Sequence, residues 1–192
     1  MVLAHLTALP ADFGTYFPKL TYLCLTNNHI SHCPNSLGHL KELKQRLVHA
    51  FFHLSRPFPR FFCDGNQLTE LPASISELQG LRELRLDRNQ FQEVPLERLE
   101  QCYERMARPR IFSLLNLKEL SLSSNLLQGL QPSIGQLQCL ERLQLARNRL
   151  PSLPKTLGEL KLLIHGSSSG RLLERASLGC KGRTSAWRRT RS

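Results

Sequence analysis

Residues 81–91 read Leu-Arg-Glu-Leu-Arg-Leu-Asp-Arg-Asn-Gln-Phe, and this spacing of leucines before one asparagine decides the fold. Four other stretches have the same pattern around an asparagine: 20–30, 58–68, 117–127 and 140–150. The step from Asn66 to Asn89 equals the step from Asn125 to Asn148. So many matching positions at one fixed period predict a solenoid, in which each repeat buries its apolar side against its neighbours.

Each repeat has two halves with different apolar spacing. The first half contains Leu-x-Leu, the period of two that is typical of a short strand. The asparagine that follows can satisfy backbone groups of the turn. The second half, Leu-Pro-x-x-(Ile/Leu)-x-x-Leu, occurs at 71–78 and 153–160, in variant form at 33–40, and its spacing of three predicts a helical or 3₁₀ turn on the outer side. Residues 6–13 are an earlier copy that lacks most of its strand half.

Taken together, the two halves resemble a known family over residues 6–163. They are similar to the 23-residue class of intracellular leucine-rich repeats, the kind found in Ras-suppressor-type and other cytoplasmic scaffold proteins. The resemblance implies an α/β repeat solenoid over residues 1–163 with a short parallel sheet on its concave side. It also implies a protein-binding role in scaffolding or signal transduction, with no particular partner.

Two insertions interrupt the period. The step from Asn28 to Asn66 is more than half again as long as the regular step from Asn66 to Asn89, and so is the step from Asn89 to Asn125. The additional residues lie near 44–58 and near 96–110. Apolar residues in both segments keep helical spacing, which predicts two amphipathic helices that pack back on the solenoid. A helix that docks a partner is the alternative interpretation.

The first insertion also has an unusual composition. Residues 51–62 contain five of the nine phenylalanines, together with Leu, Ser and Pro. These amino acids share pyrimidine-rich codons, as in the tract before a splice acceptor. The start inside a repeat and the sequence after Leu163 fit the same idea. A truncated or alternatively spliced product without independent function is therefore an alternative to a binding module.

The net charge of +11 is localised. Residues 165–192 contribute +6, residues 44–60 contribute +4, and residues 96–110 contribute +1, so the rest of the chain is neutral. A basic field over the fold is absent, which disfavours nucleic acid as the main partner. The segment 164–192 has few large apolar residues, which predicts a disordered basic tail. Binding of nucleic acid or acidic surfaces through this tail is the second functional hypothesis.

The cysteines and the N-terminus bear on location. The six cysteines are scattered without a Cys-x-x-Cys pair, and Cys33 and Cys63 occupy positions where other repeats have leucine. This favours buried thiols in a reducing compartment, and we expect a cytoplasmic protein. Residues 1–10 lack the basic and apolar regions of a signal peptide, and no apolar stretch approaches ~20 residues, so no membrane span is expected.

No catalytic constellation is present in the sequence, which has neither a phosphate-binding Gly-rich loop nor a nucleophile elbow. His29, His32 and Cys33 have nearly the spacing of metal ligands, but Cys33 stands at a core position, which favours an ordinary turn. We therefore expect no metal, no cofactor and no enzyme activity.

The candidate binding site is the concave face, defined as the strand positions that point away from the core. The repeat register arranges them in three columns. The first is Tyr22, Arg60, Glu83, Glu119 and Arg142; the second is Cys24, Phe62, Arg85, Ser121 and Gln144; the third is Thr26, Asp64, Asp87, Ser123 and Ala146. Ten of these are the predicted contacts of a partner: Tyr22, Arg60, Phe62, Asp64, Glu83, Arg85, Asp87, Glu119, Arg142 and Gln144. Aromatic and arginine side chains are enriched in binding hot spots.

The two ends of the solenoid lack recognisable polar caps. Leu6, Leu9 and Phe13 have no complete strand beside them, and Leu160 to Leu163 run into a Gly/Ser stretch that we do not expect to form another turn. Open apolar ends predict self-association.

Overall fold

The chain forms a single parallel sheet that is built strand by strand in sequence order. A computed structural model describes residues 5–44, 59–93, 114–169 and 187–190, and the sheet has seven strands. The strands are β1 Tyr22–Cys24, β2 Arg60–Phe62, β3 Glu83–Arg85, β4 Glu119–Ser121, β5 Arg142–Leu145, β6 His165–Ser169 and β7 Trp187–Thr190. Among the described residues, no helix is long and apolar enough to cross a membrane.

Strands β1 to β5 pair in the register that the repeat predicts. Leu23 stands opposite Phe61, Phe61 opposite Leu84, and Leu120 opposite Leu143. These central residues are buried, whereas most of their strand neighbours face away from the core. The predicted leucine-rich-repeat architecture and its parallel sheet are therefore confirmed.

The outer side consists of 3₁₀ segments, as the Leu-Pro halves predict. They span Asn35–His39, Ala73–Glu77, Pro132–Gln136 and Lys155–Glu159. Proline or glutamine precedes each one in an extended conformation. Ile75, Ile134 and Leu157 point inward from these segments and are buried. The 3₁₀ conformation suits these segments because its three-residue period aligns the apolar side chains on one side.

The core is one continuous cluster of leucines along the solenoid. Leu84, Leu86 and Leu122 are fully buried, as are Phe61 and Cys63 at positions that carry leucine in the other repeats. Each repeat buries its leucines against both neighbours, so the hydrophobic effect that stabilises the fold is distributed along the whole solenoid.

A row of asparagines joins consecutive repeats, and we call it the asparagine ladder: Asn28, Asn66, Asn89, Asn125 and Asn148. The first four are buried and the last is half-buried. Asn89 is typical. Its Nδ2 donates to the Cys63 carbonyl in the preceding repeat at 2.9 Å and to the Leu86 carbonyl in its own at 3.1 Å. Its Oδ1 accepts the Leu68 N–H at 3.0 Å. Its Nδ2 also lies 3.2 Å from the Asp87 carbonyl, so one side chain contacts four backbone groups, the role that the sequence predicted.

The residue before each ladder asparagine adopts the left-handed conformation. These residues are Asn27, Gly65, Arg88, Ser124 and Arg147, with φ between 53° and 65°. Four of the five carry a side chain despite the preference for glycine in this region. The repeated turn therefore imposes this backbone geometry whatever residue stands there.

The N-terminal copy packs as a partial repeat. Leu9 and Phe13 are buried, and a short helix, α1, covers Phe13–Tyr16. The Leu6 N–H donates to Asn28 Oδ1 at 2.7 Å, and the Gly14 N–H donates to Ser36 Oγ at 3.1 Å. These contacts attach the segment to the first complete repeat.

The two predicted insertion helices lie almost wholly outside the described residues. Only the start of the first can be seen, where helix α2 covers Lys41–Lys44 and buries Leu43. The insertions nevertheless leave the sheet in register, because Tyr22 pairs with Arg60 across the first and Glu83 with Glu119 across the second.

The prediction of a disordered tail is wrong for two segments. Strand β6 pairs with β5, so that Gly166 stands opposite Leu143, and β7 pairs with β6. The expectation that the Gly/Ser stretch would not continue the solenoid therefore fails at 165–169. Parallel pairing uses backbone N–H and C=O groups, so a stretch without leucine can still extend the ladder. The remainder of 170–192 lies outside the described residues.

Candidate partner-binding face

The strands place all ten predicted contact residues on one side of the sheet. Eight lie within strands, and Asp64 and Asp87 follow β2 and β3 closely. Pairs such as Arg60 with Glu83 and Phe62 with Arg85 stand directly opposite each other. The three columns of the concave face therefore exist as the sequence predicts. Their contacts divide them into three groups with different chemistry.

An aromatic cluster occupies the N-terminal half of the concave face. The rings of Tyr22 and Phe62 meet edge to face, with centroids 5.4 Å apart and an interplanar angle of 81°. The Arg85 guanidinium lies over the Phe62 ring, 4.8 Å from its centroid. Tyr22 and Phe62 are half-buried. Such an arrangement offers apolar contact area with little conformational entropy left to lose.

Charged side chains form a second group, the arginine–glutamate ladder: Arg60, Glu83, Arg85, Glu119 and Arg142. Glu83 binds Arg60 at 3.1 Å and Arg85 at 2.7 Å. Glu119 lies 3.8 Å from Arg85 and also pairs with Arg142. The arginine side chains are 42–50% exposed and the glutamates only 11–22%. The carboxylates are thus neutralised within the face, and the guanidinium groups remain accessible at its surface.

The third column has a structural role that the sequence did not reveal. Asp64 Oδ1 accepts the Asp87 N–H at 2.8 Å. Asp87 Oδ1 in turn accepts the Ser123 N–H and the Ser121 hydroxyl, both at 2.6 Å. Each aspartate therefore ties its repeat to the next one. The recurrence of Asp at the same repeat position was the available signal, but it does not distinguish a structural side chain from a binding one.

This finding affects how the concave face can be tested. From the sequence, reversing the charges of Arg85 and Asp87 would be a natural test of binding. Because Asp87 accepts hydrogen bonds from two residues of the next repeat, its reversal would disturb the fold as well. Substitutions that probe binding are better confined to the aromatic cluster.

The pKa of Asp64 is raised above its ordinary value. Burial is the main cause, and the nearby Asp87 carboxylate adds to it, while the Asp87 N–H and the cations Arg85 and Arg88 act in the opposite direction. The folded state therefore disfavours the charged form of Asp64 relative to the unfolded chain.

Cys24 belongs to the concave face but was not among the predicted contact residues. Its Sγ is hydrogen-bonded to Thr26 Oγ1, 3.4 Å away, and to Tyr22. Burial alone would raise the pKa of Cys24, but the hydrogen bonds from Thr26 and Tyr22 outweigh it and the pKa is lowered. The pKa of Tyr22 is raised, first by burial and then by the bond with Cys24.

The C-terminal half of the face is polar and has no aromatic residue in the described strands β4 and β5. The Ser121 hydroxyl lies 3.1 Å from Gln144 Oε1, and Gln144 is exposed.

His29 and His32 are exposed beside the half-buried Cys33, and within the described ranges no group of three His, Cys, Asp or Glu could hold a metal ion.

The repeats and the parallel sheet define the class of fold: the described residues form a leucine-rich-repeat solenoid, an architecture that generally serves protein–protein interaction. The leucine-rich-repeat family model matches residues 19–40 and 116–137. A comparison with curated protein sequences gives no significant match.

Solved structures of other leucine-rich-repeat proteins are similar. A protein from Leptospira interrogans, LIC12759, is 28% identical over 86% of this chain and 35% of its own, with a TM-score of 0.65. The plant peptide hormone receptor RGFR1, in complex with RGF2, is 27% identical over 88% of this chain and 24% of its own, with a TM-score of 0.64.

A third structure is the ectodomain of the membrane receptor kinase GASSHO1/SCHENGEN3 from Arabidopsis thaliana, in complex with CASPARIAN STRIP INTEGRITY FACTOR 2. It is 26% identical over 98% of this chain and 20% of its own, with a TM-score of 0.64. The chain thus spans only 20–35% of the length of these three proteins.

Proposed function

We propose that this chain is a cytoplasmic scaffold or adaptor that binds a protein partner on its concave face. The observation that carries the proposal is the aromatic cluster, in which Tyr22 and Phe62 contact each other and Arg85 lies over Phe62. Tyrosine and arginine are among the residues most enriched in hot spots, and here they lie beside ion-paired side chains whose charges are already compensated.

Two further observations support this function. RGFR1 is a peptide hormone receptor in complex with RGF2, so a solenoid of similar fold does bind a polypeptide. The four cysteines in the described part of the chain are free thiols, as a reducing compartment would keep them.

We favour binding over catalysis because the charged groups of the concave face are paired with each other. A fluorescent fusion of the full chain tests the cytoplasmic location.

The binding site is tested by photo-crosslinking of the full chain in cells. A photoreactive amino acid replaces Phe62 in one variant and Gln136, which is exposed on an outer 3₁₀ segment, in the other. We expect a discrete crosslinked protein from position 62 and none from position 136. The protein identified is then titrated with Tyr22→Ala, Phe62→Ala and the control Gln136→Ala.

Each aromatic substitution should weaken binding about tenfold or more, because hot-spot truncations cost over about 1.4 kcal/mol. The control should bind like the unaltered chain. Loss of binding on changing the outer segment but not the aromatic cluster would refute the concave face as the site.

A further inference from the structure

The concave face over strands β1 to β5 is about as wide as one extended polypeptide chain. Strands β1 to β4 have three residues each and β5 has four. At about 3.3 Å per residue the face is therefore about 10 Å wide, and at about 4.8 Å between strands it is about 19 Å long. A single extended segment of about six residues that runs across the strands would cover this length.

The arginine–glutamate ladder on this face has more hydrogen-bond donors than acceptors. Its three guanidinium groups carry about fifteen N–H donors, whereas its two carboxylates accept about eight hydrogen bonds. The arginine side chains are also more exposed than the glutamates with which they pair. The ladder therefore presents N–H donors, with one positive charge in excess, to a ligand that brings carboxylates and carbonyl oxygens.

The other two carboxylates of the concave face lie at one margin of it. Asp64 and Asp87 belong to the third column, and each accepts the backbone N–H of a residue in the next repeat. The excess of donors thus lies along the first two columns, and an acidic side chain of a ligand would bind there.

Neighbouring side chains hold the guanidinium group of Arg85 in place. Its Nη2 lies 2.7 Å from Glu83 and 3.8 Å from Glu119, and the group lies over the ring of Phe62. A guanidinium held in this way loses little conformational entropy on binding, and its planar fork can bind a carboxylate through two parallel hydrogen bonds. Because Phe62 also belongs to the aromatic cluster, a carboxylate on Arg85 would lie beside an apolar side chain on that cluster.

We propose that the concave face selects an extended acidic segment of its protein partner. An aspartate or glutamate of this segment binds Arg85, and a large apolar residue next to it packs on Tyr22 and Phe62. An extended segment also brings backbone carbonyl groups for the other donors of the ladder, whereas the carbonyl groups of a helix are already paired within it. This inference rests on the proposed function, because it names the chemistry of the partner for the same face.

The test begins with a phage-displayed library of random peptides of about twelve residues, twice the length that the face requires. The library is selected on the immobilised full chain, on Arg85→Gln and on Arg149→Gln. Arg149 is the matched control because it is exposed but lies outside the three columns. On the unaltered chain and the control, we expect enriched peptides with Asp or Glu within about two residues of a large apolar residue. On Arg85→Gln the preference for an acidic residue should be lost.

One selected peptide is then synthesised with its acidic residue intact or replaced by the corresponding amide, and both forms are titrated by fluorescence polarisation. On the unaltered chain and on Arg149→Gln the amide form should bind about tenfold more weakly or worse. On Arg85→Gln the two forms should bind within about twofold of each other, because the group that distinguishes them is gone. Arg85→Lys keeps the charge without the planar fork, and it should retain part of the discrimination.

The inference and the proposed function fail separately. Enrichment of basic or uncharged peptides, no enrichment, or equal discrimination by Arg85→Gln and Arg149→Gln would overturn the acidic segment. The proposed function would still stand if photo-crosslinking from position 62 captures a partner. Absence of a crosslinked partner at position 62 would overturn both, whichever peptides are selected.

Discussion

The asparagine ladder and the arginine–glutamate ladder both run across the same strands, but they differ in surroundings. Asn125 is 4% exposed, and its side chain hydrogen-bonds to four backbone groups: the Leu86, Leu122 and Ser123 carbonyls and the Phe91 N–H. Arg142 pairs only with Glu119 among the described residues, and its side chain is 50% exposed. A buried polar group without a partner costs far more free energy than an exposed ion pair contributes. The two ladders therefore recur with the same repeat but contribute unequally to stability.

Breaking the asparagine ladder should have the largest effect. Asn125→Ala leaves the Phe91 N–H without its acceptor and removes one of the two asparagine donors to the Leu86 and Leu122 carbonyls, so it should lower the free energy of unfolding by about 2–4 kcal/mol. Leu84→Ala, which leaves a cavity in the core, is the apolar reference at about 2–5 kcal/mol. Urea denaturation of each variant measures both. Asn116→Ala is the control, because Asn116 makes one exposed hydrogen bond to the Gln79 carbonyl. An Asn125→Ala cost below about 1 kcal/mol, the net worth of a single ordinary hydrogen bond, would contradict the ladder's role.

Removing the Asp87 carboxylate should have an intermediate effect. Asp87→Ala leaves the Ser123 N–H unsatisfied and breaks the bond with the Ser121 hydroxyl, and should cost about 1–3 kcal/mol. Asp87→Asn keeps an oxygen at the same place and should recover most of the loss. Equal stability of the Ala and Asn variants would show that Asp87 does not support the sheet.

The arginine–glutamate ladder should contribute little. A double-mutant cycle with Glu119→Ala and Arg142→Ala should give a coupling energy of about 0.2–1 kcal/mol that decreases as salt is added. The measurement is urea denaturation of the four proteins at low and high ionic strength. A coupling energy well above that range and insensitive to salt would show that this ladder contributes as much to stability as the asparagine ladder does.

The smallest effect should be the pH dependence from Asp64. Because its pKa is raised in the folded state, the folded chain binds more protons than the unfolded chain between the ordinary value of 3.8 and the raised one. Asp64 therefore lowers stability as the pH rises through this interval. Asp64→Asn keeps an acceptor for the Asp87 N–H, so its gain in stability relative to the unaltered chain should be larger at pH 7 than at pH 3.5. A larger gain at pH 3.5 would contradict the assigned direction.

The sequence alone predicted most of the fold because the same pattern of leucines and one asparagine recurs in every repeat. Leu84, Leu120 and Leu143 recur at equivalent repeat positions, and the same repeat set the strand register and the three columns of the concave face. The sequence could not predict β6, since Gly166 stands at a core position without an apolar side chain and pairs through its backbone.

The separation between the structural and the candidate binding side chains was equally hidden. Asp87 and Arg85 both appear as outward polar residues at alternate positions of one repeat. Only their contacts reveal that the first stabilises the next repeat and that the second lies over Phe62. Periodicity identifies which way a side chain points, whereas its function depends on what lies within hydrogen-bonding distance.

The unbroken register across the two insertions has a consequence for protein engineering. The chain accommodates both insertions beyond its usual period without moving Tyr22 from Arg60 or Glu83 from Glu119. Lengthening the connection between two repeats by about two thirds costs only about 0.4 kcal/mol, because loop entropy grows with the logarithm of length. The segments 44–58 and 96–110 are therefore positions where an epitope tag, a fluorescent reporter or a protease site can be grafted while the strands remain paired.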